Sequence, residues 1–150
     1  MRPKYHFIFG IIFVTIFYFL FPQFSFSDLT IIFISSFLID ADHIFYSFIK
    51  NRNINPIKSY KEHSAELKNF LHFPRQKRKK IYLGFYIFHG IEWLIILFLL
   101  GFYIDYFFFL IFIGFSFHLL LDFIYERYLG CSFDKSSLIY NYYRFKKINS

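Results

Sequence analysis

Four long apolar runs, none holding a lysine or an arginine, constrain this chain more than any other feature: residues 5–21, 29–49, 81–104 and 106–125. About 20 apolar residues are enough to cross a bilayer as a helix. A chain of 150 residues that is 57% hydrophobic and 27% aromatic has too little interior to hide such runs in water. The runs therefore predict an all-α integral membrane bundle of four transmembrane helices, a single domain with spans at about 5–21, 29–49, 81–104 and 106–125. Pro22 stops the first, because its ring cannot continue a helix. Ser27 and Asp28 are suited to cap the second. Asp105 alone separates the third from the fourth, which predicts a tight hairpin.

The basic residues set the orientation. All 17 Lys and Arg fall in three places: Arg2 with Lys4, the stretch from Lys50 to Lys80, and Arg127 onward. The connections at 22–28 and at Asp105 hold none. Alternating spans put the three basic regions on one side, which the positive-inside rule makes cytoplasmic. Both termini, the loop 50–80 and the tail 126–150 are thus expected in the cytoplasm, and the chain in the plasma or inner membrane as a multi-pass protein. A net charge of +7 would suggest nucleic acid in a soluble protein; here it reads as topology, and no nucleic-acid partner is expected. The first run has a basic start but no small-residue cleavage site before Pro22, so it reads as a span rather than a secretory signal. Cys131 is the only cysteine, which excludes an intramolecular disulfide and a thiolate cluster. His63 and His72 read as solvated loop histidines, 60–70 as a short interfacial helix, and Trp93 and the tyrosines as packing and interface residues.

Ionisable groups inside these runs are the candidates for chemistry. Asp40, Asp42 and His43 lie in the second, His89 and Glu92 in the third, His118 and Asp122 in the fourth. Counted from Lys50, Lys80 and Arg127 at 1.5 Å per residue, they lie roughly 8–18 Å below the cytoplasmic edge, in one layer. Asp40 with His43, His89 with Glu92, and His118 with Asp122 are each spaced to share a helix face. Asp42 is about 200° round from Asp40 on an ideal helix, so either the helix is distorted there or Asp42 orients a histidine. Each buried charge costs about 2.5–3.5 kcal/mol on insertion scales, and no basic side chain in the spans offsets the carboxylates. Protonation or bound cations would relieve that cost. A mixed His/carboxylate set suits zinc, manganese or ferrous iron, and the number of ligands allows two ions. The expected ligands of a divalent metal, zinc or manganese first, are Asp40, His43, His89, Glu92, His118 and Asp122, with His6 near the interface as a further member. A proton or metal-ion pathway and a structural polar cluster are the alternatives.

His6 before a Phe-Ile-Phe-Gly run, the Asp-x-Asp-His of Asp40 to His43 and the His-Leu-Leu-Leu-Asp of His118 to Asp122 resemble the LexA-regulated, membrane-bound metal-dependent hydrolase family. The likeness covers roughly residues 6–130. It departs at Ile39, where the family carries proline, and at His89-Gly-Ile-Glu92, where the family has His-Arg and a second histidine. The resemblance implies a multi-spanning hydrolase. Its chemistry would use a metal-activated water with Asp42 or Glu92 as general base. The basic rim of Lys77 to Lys80 and Arg127 would attract an anionic headgroup, so membrane lipid is the expected partner and a lipid-linked ester or phosphate ester the expected substrate class.

Overall fold

The computed structural model describes residues 3–42, 55–78, 86–130 and 137–149. Among these the chain is all-helical, with seven helices and no strand. In chain order they are α1 (Pro3–Leu20), α2 (Phe26–Leu38), α3 (Pro56–Leu71), α4 (Arg75–Arg78), α5 (Ile91–Tyr103), α6 (Tyr106–Leu129) and α7 (Leu138–Asn149). One of them, α6, is long and apolar enough to cross a membrane. Its 24 residues reach about 36 Å, whereas the 13 residues of α2 or α5 reach about 20 Å against a hydrocarbon core of about 30 Å. Helices α1, α2 and α5 are apolar but shorter than that criterion.

The chain divides into two compact units: Met1–Ile39 with Ile91–Asp122, and Asp40–Gly90 with Phe123–Ser150. In the first unit, α1 ends just before Pro22. The cap of α2 lies further upstream than expected. Ser25, not Ser27, is the N-cap, and it forms a reciprocal capping box with Asp28: the Asp28 N–H donates to Ser25 Oγ (3.2 Å) and the Ser25 N–H to Asp28 Oδ2 (2.8 Å). Between α5 and α6, Asp105 caps the second helix through its side chain, accepting from the Phe107 N–H at 2.7 Å.

Glycines let the helices of this unit approach closely. A Cβ at Gly114 of α6 would strike the Ser35 hydroxyl and the Ile32 carbonyl, and would stand 2.9 Å from the Ser36 nitrogen. A Cβ at Gly10 of α1 would lie 2.8 Å from Ser36 Oγ. Small residues at such crossings are how membrane helices approach one another. Phe13 stacks on Phe117 at 4.0 Å beside them.

Two expected helical runs are corrected. The second is expected to be continuous over 29–49, but α2 ends at Leu38, and Ile39 and Asp40 form a turn. The Ser36 carbonyl, which would accept the N–H of Asp40 in a continuing helix, instead accepts from His118 Nδ1 at 2.8 Å. Ser35 and Ser36 also turn their hydroxyls back onto the Ile32 and Phe33 carbonyls (3.0 and 2.7 Å), a competition that weakens a helix ladder. The third run is expected to be helical from 81, but among the described residues, 86–90 are non-helical, with bend and turn over 87–90, and α5 begins at Ile91. Here Asp42 captures the Phe88 N–H at 2.7 Å, so that donor is satisfied without a helix.

The second unit is built on different chemistry. Asn55 caps α3, accepting from the N–H groups of Ile57 and Lys58, with Pro56 at the first helical position. Arg78 donates to the Leu71, Phe73 and Leu129 carbonyls at 2.5, 2.7 and 2.8 Å, and Arg75 donates to that of Tyr128 at 2.6 Å. These guanidinium groups close the C-terminal ends of α3 and α6, where a cation is also favoured by the helix dipole. Gly130, in the left-handed region at φ 70°, ends α6.

Candidate metal centre

Within the first unit, α1 and α6 bring three sequence-identified residues together. His6, His118 and Asp122 are all buried. His6 Nε2 donates to Asp122 Oδ1 at 3.1 Å, and its ring stacks on that of His118 with centroids 3.9 Å apart. His118 Nε2 lies 3.7 Å from Asp122 Oδ2, too far for a hydrogen bond. A ligand atom of His6 and one of His118 lie within 4.8 Å of each other.

The proton positions follow from the partners. A carbonyl only accepts, so His118 carries its proton on Nδ1, facing the Ser36 oxygen, and Nε2 presents a lone pair. A carboxylate likewise fixes the His6 proton on Nε2 and leaves Nδ1 basic. That buried Nδ1 makes no hydrogen bond among the described residues. Two imidazoles are thus held in opposite tautomers beside one carboxylate. Outer hydrogen bonds of this kind orient histidine ligands and raise their basicity.

The second unit holds another histidine–carboxylate pair. Asp42 Oδ2 accepts from the Phe88 N–H and from His89 Nδ1 (3.2 Å), Asp42 and His89 being buried, and the Tyr86 ring lies 5.5 Å from that of His89. The His89 proton is therefore on Nδ1, and Nε2 is the nitrogen that could take a metal. Asp40, in the same unit, is also buried. Buried His and Asp groups suited to hold a metal ion are therefore present in the structure.

The remaining expected residues are placed less centrally. Glu92 is half-buried in the first turn of α5, while His89 lies in the turn ahead of that helix, so the two do not share a helical face. His43 lies outside the described residues. His72 is exposed at the end of α3.

Sequence reasoning passed over two groups. Glu126, buried one turn beyond Asp122 on α6, adjoins Arg127 and looks like a boundary charge; its i, i+4 spacing from Asp122 was the available signal. The Ser36 carbonyl, which orients His118, is a backbone group and leaves no mark in the sequence. No family model, curated protein or solved structure matches this chain.

Proposed function

We propose that this chain is a membrane-embedded, metal-dependent hydrolase acting on a lipid-linked ester or phosphate ester, with His6 and His118 as ligands of its metal centre and Asp122 holding the His6 ring from its other nitrogen. The observation that carries the reading is the pair of buried imidazoles whose protons are tied down by Asp122 and by the Ser36 carbonyl. A structural hydrogen-bond cluster does not require a buried His6 Nδ1 that makes no hydrogen bond among the described residues. A divalent cation held there would supply Lewis acidity in a dry site. In the second unit, His89, oriented by Asp42, and the buried Asp40 are proposed as metal ligands in their own right, with His43, which lies outside the described residues. Because Asp42 Oδ2 is committed to Phe88 and His89, the role of general base goes to Glu92.

The membrane assignment extends from the one long apolar helix to a four-span protein with α1, α2 and α5 as the other spans. Its support is the surface of the first unit. Ile8, Ile12, Ile16 and Phe19 of α1, and Ile95 and Phe102 of α5, are exposed, with Phe19 at 76% and Phe102 at 73%. Exposed apolar surface of that extent is unfavourable in water and ordinary against lipid. The plasma or inner membrane is the proposed location, with the basic residues on its cytoplasmic side.

The test is hydrolysis by purified protein in lipid nanodiscs against a panel of phospholipids, acylglycerols and isoprenyl phosphates. Cleavage that disappears with chelator, returns with zinc or manganese, and is lost in Glu92→Gln without loss of bound metal is expected. A metal-loaded protein that cleaves nothing on the panel, and instead moves protons or metal ions across liposomes, would replace the hydrolase with a transporter.

A further inference from the structure

We infer that α7 is a docking helix for the surface of an anionic phospholipid bilayer. Ser137 precedes the first residue of α7, and its hydroxyl and carbonyl accept from the N–H groups of Tyr140 and Asn141. Asn141 is completely buried, which fixes the inward side of the helix. The opposite side carries Ile139, Tyr142, Tyr143 and Lys146 at i, i+3, i+4 and i+7, with Tyr140 and Lys147 beside them, and all six are exposed. Ile139 is 73% exposed and Tyr143 62%.

A helix face built for water would carry charges along its length. This one carries an isoleucine and three tyrosines, then ends in two lysines, and α7 has no acidic residue. Tyrosine is the residue type that settles at the headgroup level, with an apolar ring and a polar tip. Lysines at one end add electrostatic attraction to anionic headgroups, and an aromatic face with basic residues is the pattern of helices lying in the interface plane. The charge and the residue types together favour a lipid surface over an acidic protein, which would be matched by a more evenly basic face. The inference is independent of the metal centre, because no residue of α7 belongs to it.

Full-length protein carrying Cys131→Ser and a nitroxide label at Tyr142→Cys or, separately, Tyr143→Cys tests it in nanodiscs of phosphatidylcholine with or without phosphatidylglycerol. In the anionic discs both labels should become accessible to oxygen and shielded from a water-soluble nickel complex. High salt, or the double substitution Lys146→Gln and Lys147→Gln, should return them toward water by roughly tenfold or more at unchanged helix content. Labels that stay equally exposed to the nickel complex in both disc types overturn the inference. So does shielding that appears only when a soluble acidic protein is added.

Discussion

The two units of this molecule both bury polar groups, but they differ in where the basic residues lie. The first keeps His6, Ser35, Ser36, His118 and Asp122 buried while it turns Ile, Leu and Phe side chains outward. The second carries all the lysines and arginines except Arg2 and Lys4, and its arginines hydrogen-bond helix-end carbonyls near the surface. On the proposed reading the unit with almost no basic residues is the one that meets lipid, because a lysine or arginine there would be costly.

The largest effect that could break this contrast is a charge on the outer face of each unit. Ile12→Arg, on the outward side of α1, should cost about 3 kcal/mol if that face meets lipid, read as loss of carbonate-resistant membrane integration. Ile57→Arg, at a residue 67% exposed on α3, should change stability by less than about 0.5 kcal/mol. Equal tolerance at both positions would remove the distinction between the units.

A smaller effect compares two glycines. Gly114→Ala forces a methyl group into the Ser35 hydroxyl and the Ile32 carbonyl, and overpacking of this kind costs about 2 kcal/mol. It should also loosen the Ser36 carbonyl from His118, so that metal affinity falls along with thermal stability. Gly130→Ala, at positive φ in the second unit, should cost about 1 kcal/mol and leave metal affinity unchanged. Metal titrations of both variants beside their melting curves would separate a loss of packing from a loss of the site.

Element type was legible in the residues because long Phe/Ile/Leu runs without basic side chains admit little besides helix. Pro22 and Asp105 also marked ends in plain view. The breaks after Leu38 and before Ile91 were not legible, since long-range hydrogen bonds decide them: Ser36 to His118, and Phe88 to Asp42. Ser25-x-x-Asp28 is a capping-box pattern, but Ser27 lies nearer the apolar run and drew the assignment. In the candidate site, His118 and Asp122 declare themselves by four-residue spacing. The place of His6 depends on the pairing of α1 with α6, across 116 residues of sequence, which periodicity cannot reveal. Helix α7 escaped notice because its apolar residues alternate with lysine, arginine and asparagine over only 12 residues.

The most direct test of the central claim is the metal content of purified wild-type protein beside His118→Ala and His6→Ala, after equilibration with zinc or manganese and removal of the excess. Occupancy of about one ion per chain is expected in the wild type, with most of it lost in either variant while helix content is retained. A wild type that holds no metal, or variants that hold as much as the wild type, would contradict the claim.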